Sequence, residues 1–210
     1  MTGAIFDVDG TILDSMQVWY KVTTNFFNMH NLALTEEKAA SYKEMTLDES
    51  LPQINEEFNL GMTNDEILEE FRRLIIHEYA FNIRLKPNID IYLKQLHDNG
   101  VKIAVATSGY EGMCKSAFKR LGILEYIDAY AFSSEVGVNK GNPDIYLLAA
   151  ERIGLKPQDC TVYEDIVLGL ETAHKAGFKT CAIYDDTNSY ETQRLKQVSD
   201  RYITGWEELL

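Results

Sequence analysis

The sequence predicts an α/β protein in which a parallel sheet is covered by helices on both faces and a helical segment interrupts the chain after the first strand. Three observations predict it. Residues 87–210 alternate short apolar runs with amphipathic helical patterns. The apolar runs are nearly continuous, as strands buried on both faces are. Residues 15–83 carry helical periodicity and no good strand pattern.

The first strand is Ala4–Phe6, inside the stretch "AIFDVDGTILDS", where Asp7 and Asp9 follow the apolar run and Gly10-Thr11 turns the chain. The insertion follows at 15–83, so the α/β domain comprises 1–14 and 84–210. In "SMQVWYKVTTNFFNMHN" the residues Met16, Trp19, Val22, Phe26 and Met29 form a helical stripe. In "NDEILEEFRRLIIHEYAF", residues 64–81, a second stripe holds Ile67, Leu68, Phe71, Leu74, Ile75 and Tyr79. Two shorter helices are expected at 35–44 and 48–58.

Strands are then expected at "VKIAVAT" (101–107), "AYAF" (129–132), "CTVYE" (160–164), "KTCAIY" (179–184) and "RYIT" (201–204). Helices lie between them near 89–99, 111–121, 143–153 and 166–176. Each of these four helices ends in a glycine, at Gly100, Gly122, Gly154 and Gly177. An apolar residue follows each, at Val101, Ile123, Leu155 and Phe178. A left-handed glycine cap with a hydrophobic contact behind it accounts for the repetition. The four prolines, Pro52, Pro87, Pro143 and Pro157, are expected where elements change.

At 210 residues the chain can bury a sizeable core, and its 45% hydrophobic and 25% charged content is ordinary for a globular protein. A formal net charge of −13 repels nucleic acid and anionic membrane, so neither is expected as a partner. The segment 15–83 holds 5 Lys/Arg against 12 Asp/Glu, which reads as a solvated acidic face. Cys114, Cys160 and Cys181 show no metal or redox spacing and read as buried thiols. The N-terminal stretch shows no signal peptide and no membrane span, so a cytoplasmic location is expected; a monomer is the simplest expectation for the oligomeric state.

In a parallel α/β sheet, ligands bind at the carboxyl ends of the strands. The polar residues that fall there are few. Strand one ends at Asp7 and Asp9, strand two at Thr107-Ser108-Gly109, strand three leads to a loop with Lys140, and strand four ends at Glu164-Asp165. Four acids in one place raise each other's pKa unless they share a cation. An all-oxygen set of this kind suits Mg²⁺, which also takes a substrate phosphate oxygen. Lys140 can hold a phosphate as a point charge, and the Thr107 hydroxyl with the following N–H groups can donate to the same oxygens. The set fits a phosphoryl group held between a metal ion and a lysine.

The stretches "DVDGT" (7–11), "VATS" (105–108), "KGNPDIY" (140–146) and "VYEDIVLGLETAHKAG" (162–177) resemble, in order and spacing, the four signature motifs of the haloacid dehalogenase superfamily. The resemblance covers nearly the whole chain and is closest to the family's phosphatases and β-phosphoglucomutases of small phosphorylated metabolites. It implies a three-layer, Rossmann-like core with a helical C1 cap, which would close over the leaving group, exclude bulk water and choose the substrate. It implies that Asp7 is the nucleophile that forms an aspartyl-phosphate. Asp9 would be the general acid/base and would offer its backbone carbonyl to Mg²⁺. Thr107, with help from Ser108, would hold phosphoryl oxygens, and Lys140 would balance charge. Asp165 would ligate the metal, with Glu164 in its coordination sphere or just outside.

The departures are informative. Dehalogenases of the family lack the acid at the place of Asp9, which argues against C–Cl cleavage. Mutases carry a histidine where Trp19 falls, and a glycine and an arginine near Glu44 and Leu47. A phosphatase is therefore the leading expectation, a phosphomutase the alternative, and a non-catalytic phosphate- or Mg²⁺-binding module the third. Gly141 stands where proline is usual, which should loosen that loop, and Ile166 stands where serine is usual, which removes a polar contact. Asp185 and Asp186 read as a capping loop, and the four histidines (His30, His77, His97, His174) as surface or packing residues.

Overall fold

The computed structural model describes the chain except residues 1, 36–37, 39–41 and 43–46 and the side chains of 19 and 47–49. The chain divides into two compact units, one of Met1–Ser15 with Arg84–Leu210 and one of Met16–Ile83.

The first unit is built on a six-stranded parallel sheet. Its strands are β1 (Gly3–Phe6), β4 (Lys102–Thr107), β5 (Ala129–Phe132), β6 (Cys160–Glu164), β7 (Lys179–Ile183) and β8 (Arg201–Ile203). The spatial order is β5-β4-β1-β6-β7-β8. From β1 the chain steps outward through β4 and β5, then returns to the other side for β6, β7 and β8. The order therefore reverses between β1 and β6, the kind of switch point at whose strand ends α/β sheets bind ligands.

Two cores cover the sheet. Ile5, Ala104 and Val162 on one face pack with Ile145, Tyr146 and Ala149 of the helix Asp144–Arg152. On the other face Phe6 stacks on Tyr163 at 4.5 Å between ring centroids, with Tyr92 and Trp206 against them. Alternate residues of one short strand thus go to opposite cores, which is why the strand sequence is apolar throughout.

The four expected helices are present at Ile89–Asp98, Glu111–Leu121, Asp144–Arg152 and Val167–Lys175. Their terminal glycines have φ of 71°, 75°, 72° and 90°. Behind each, the apolar residue's N–H bonds back five residues: Val101 to Leu96, Ile123 to Phe118, Leu155 to Ala150 and Phe178 to Ala173, at 3.0–3.1 Å. This is the six-to-one bond of the expected cap.

Several elements escape the sequence reading. β2 (Leu13–Asp14) and β3 (Arg84–Leu85) form a two-residue antiparallel pair at the points where the chain leaves and re-enters the α/β unit. Runs that short carry no period. The helix Thr192–Val198 and the four-residue helix Ser133–Val136 likewise have no counterpart in the sequence reading.

The second unit holds, among the described residues, three named helices: α1 (Val18–Met29), α2 (Leu47–Phe58) and α3 (Asn64–Phe81). Thr63 starts α3 with a capping box, in which its hydroxyl accepts from Glu66 N–H and its own N–H donates to the Glu66 carboxylate at 2.8 Å. Ile67, Phe71, Ile75 and Tyr79 of α3 are buried, as the stripe predicts, and Phe71 meets Phe26 of α1 at 4.5 Å. Two expectations need correction. Met29 is 56% exposed, and the buried face of α1 is Val18, Val22, Phe26 and Phe27 instead. Pro52 sits inside α2 rather than at a boundary, so that helix forgoes one N–H bond there. Most of the expected helix at 35–44 lies outside the described residues.

Candidate active site

The pairing of β1 with β6 places the acids. Phe6 is level with Tyr163 across the two strands, and the Asp7 N–H extends the pairing to the Tyr163 carbonyl at 2.9 Å. Asp7 and Glu164 are therefore neighbours at the same height. By the two-residue strand period, Asp7 shares the face of Ile5, and Glu164 the face of Val162. That face carries Tyr146, and the loop bearing Lys140 leads into the Tyr146 helix.

Lys140 donates to the carboxylate of Asp7 and, at 2.5 Å, to Glu164 Oε1. Tyr146 Oη donates to the same Glu164 oxygen at 2.9 Å. The second oxygen, Oε2, accepts from the N–H groups of Asp165 (3.0 Å) and Ile166 (3.4 Å). Glu164 is thus held by four protein donors. One carboxylate oxygen from each of Asp7, Glu164 and Asp165 lies within 4.8 Å of the others. These side chains are buried: relative exposure is 4% for Asp7, 6% for Lys140, 0% for Glu164 and 2% for Asp165.

Burial at that level decides the electrostatics. Loss of hydration, with the charges of Glu164 and Asp9 alongside, pushes Asp7 up to about 7 despite Lys140. Burial, then Glu164 and Asp7, raises Asp165 well above the carboxylate range. Lys140 suffers the same desolvation, but Asp7 and Glu164 outweigh it and keep the ammonium charged. Three carboxylates against one ammonium leave the cluster with a surplus of two negative charges when all are ionised. A divalent cation balances that surplus, and hard oxygen donors are the ligands Mg²⁺ takes. The residues present therefore fit the group.

The other expected site residues stand as follows. Asp9 follows the turn in which Gly10, at φ 86°, donates to the Leu13 carbonyl. Its side chain accepts from Ser15 Oγ at 2.6 Å and stands outside the three-carboxylate group. Thr107 is buried, and its hydroxyl accepts from Gly109 N–H at 3.0 Å. A Cβ at Gly109 would lie 3.3 Å from Thr107 Oγ1 and 3.6 Å from Asp9 Oδ2, so both polar side chains border that backbone turn. Ser108 is exposed, and its hydroxyl meets Ser133 at 3.1 Å. The side chains of Trp19 and Leu47, and Glu44 altogether, lie outside the described residues.

Gly141 does not leave its loop loose. Its N–H, which proline would lack, donates to Asn139 Oδ1 at 3.0 Å, and Asn142 N–H donates to the Asn139 carbonyl at 3.0 Å. An Asx turn closes the loop that carries Lys140. Two residues at the site were missed in the sequence. Tyr146 reads there as one more apolar position of a helix. Asn188, 8% exposed, donates through Nδ2 to Asp165 Oδ2 at 2.7 Å, from a loop with no periodic signal. Asp185 caps the short 3₁₀ run Asp186–Glu191, as expected of it, by accepting from Thr187 N–H.

A family model described as haloacid dehalogenase-like hydrolase matches residues 4–183. The chain is 30% identical over 198 residues to hexitol phosphatase A of Escherichia coli, covering 93% of this chain and 88% of that protein. It is 26% identical over 183 residues to the phosphorylated carbohydrates phosphatase of Thermotoga maritima, covering 85% and 83%. In fold it is similar to the β-phosphoglucomutase of Clostridium difficile, with a TM-score of 0.73 at 22% identity, over 100% of this chain and 93% of that one.

Proposed function

The chain belongs to the haloacid dehalogenase-like hydrolase family, and on that premise we propose that it is a Mg²⁺-dependent phosphatase of small phosphorylated metabolites, working through a phosphorylated Asp7. The observation that carries this reading is the convergence of Lys140 on Asp7 and Glu164 with Asp165 beside them.

In the first step an Asp7 carboxylate oxygen attacks phosphorus and the ester oxygen departs, taking a proton from Asp9. In the second, Asp9 takes a proton from water, the water oxygen attacks the phosphorus of phospho-Asp7, and inorganic phosphate leaves. Lys140 opposes the rise that burial imposes on Asp7, favouring its ionised form for attack, and offers its remaining N–H to a phosphoryl oxygen. Thr107 and the N–H groups behind it donate to the other oxygens. Asp7 and Asp165, with the Asp9 carbonyl, would hold Mg²⁺, which supplies charge neutralisation at the phosphoryl group. Glu164, whose oxygens are taken by four protein donors, is assigned to holding Lys140 from behind. The helical unit of residues 16–83 is assigned substrate selection. The relatives named for hexitol and carbohydrate phosphates make sugar and polyol phosphates the first substrates to try.

The test is a panel of phosphorylated metabolites with Mg²⁺ and phosphate release as readout. Turnover that Asp7→Asn abolishes supports the reading. A sugar phosphate that isomerises in the presence of a bisphosphate primer, without phosphate release, identifies a mutase instead. No turnover across the panel would sink the enzyme claim.

A further inference from the structure

Asp165 has a neutral side-chain partner. Its Oδ2 accepts from Asn188 Nδ2 at 2.7 Å, and its carbonyl accepts from the same group at 3.4 Å. Asn188 reaches it from the loop after β7, 23 residues along the chain. The next residue, Ile166, offers only a backbone N–H, which is spent on Glu164.

The loop is itself pinned. Asn188 N–H donates to the Asp185 carbonyl at 3.1 Å, and Asp185 Oδ1 accepts from Thr187 N–H at 2.9 Å. Lys86, just after β3, donates to Asp185 Oδ2. At Asn188 the backbone leaves helical geometry (φ −109°, ψ 15°), which interrupts the 3₁₀ run at the residue whose side chain enters the site.

We propose that Asn188 is the positioning residue for Asp165, and that its amide sets the affinity of the site for the divalent cation. The inference rests on the reading that Asp165 is a ligand of that cation. The physical case is that an amide donor is neutral. It fixes one oxygen of the carboxylate and the orientation of the group, leaving the other oxygen for the cation, without adding a positive charge that would compete. A lysine in its place would orient Asp165 equally well but oppose cation binding. Removing the partner of a ligand in this way lowers metal affinity about 10–100-fold in characterised sites.

The experiment is calorimetric titration of the intact chain with Mg²⁺ alone, in wild type, Asn188→Leu, Asn188→Ala and Asp165→Asn. Leucine keeps the volume and loses the donor; alanine carries the test if leucine disturbs the loop. Both Asn188 variants are expected to raise the Kd for Mg²⁺ about tenfold, and Asp165→Asn to abolish binding. Activity then splits: the Mg²⁺ concentration for half-maximal rate rises by the same factor, while kcat at saturating Mg²⁺ returns to within about threefold. A residue that only holds the fold together would not show that recovery. Unchanged affinity in both variants, with binding lost in Asp165→Asn, overturns the inference and leaves the site reading intact. Unchanged affinity in Asp165→Asn overturns both.

Discussion

At the scale of single residues, the site depends on Lys140 being charged. Asp7 and Glu164 are buried together, and one ammonium bonded to both offsets their repulsion. Glu164→Gln keeps the shape and removes the charge that orients Lys140. Its expected effect is a fall in kcat of about 10–100-fold with little change in Mg²⁺ affinity, read from rate against Mg²⁺ concentration. A fall in affinity without a fall in kcat would return Glu164 to the coordination sphere. Gly169 makes the second prediction. It lies in the helix Val167–Lys175, where alanine normally stabilises by about 1 kcal/mol. Here a Cβ would meet Tyr146 Oη at 2.6 Å and Glu164 Oε1 at 2.7 Å, and four donors prevent that carboxylate from yielding. Gly169→Ala is therefore expected to destabilise, by about 1–3 kcal/mol of overpacking, measured by urea denaturation. Tyr146→Phe, which deletes the hydroxyl, should relieve part of that cost in a double-mutant cycle. The acids and Lys140 could be found in the sequence because strand ends are predictable from apolar runs. Tyr146 and Asn188 could not, because their roles come from where their tips arrive rather than from any spacing.

At the scale of elements, the helices of the second half were legible because two signals agree at each end: an amphipathic period, and a glycine with an apolar follower. The Leu13–Asp14 and Arg84–Leu85 pair was not, since two residues hold no period and their partners lie about seventy residues apart. Helix α3 supplies a pH prediction. Glu78 is buried on it, and accepts from Lys21 at 2.7 Å and Asn82 at 2.9 Å. Burial raises its pKa, but the bonds from Lys21 and Asn82 outweigh burial, and the folded value lies below the usual one. The sign follows: a depressed carboxylate stabilises the fold above its unfolded pKa, about 4.3, and that contribution is lost as pH falls through the folded value. Lys21 is half-exposed, so the pair contributes only about 1 kcal/mol. Glu78→Gln should lower the Tm at pH 7, and the difference from wild type should close toward pH 3.

At the scale of the whole molecule, a divalent cation held by the buried acids of the proposed site would couple its binding to folding. Mg²⁺ at a hundred times its Kd is expected to add about 2.7 kcal/mol of stability, seen as a rise in Tm of roughly 5–10 °C for a chain of this size. EDTA should reverse it, and Asp165→Asn should abolish it. The sequence by itself determined the fold class and the acids that end the strands, because apolar period and glycine caps are local and each can be read within one segment; its motifs carried the resemblance to the family. Only the tertiary structure decided the strand order β5-β4-β1-β6-β7-β8. The four inner strands are largely buried on both faces, so their composition does not name their neighbours. That order brings β1 beside β6, and with them Asp7 beside Glu164. The arrival of Asn188 at Asp165 was decided in the same way, by a loop whose position depends on Lys86 and Asp185, far apart in the chain and joined only when it folds.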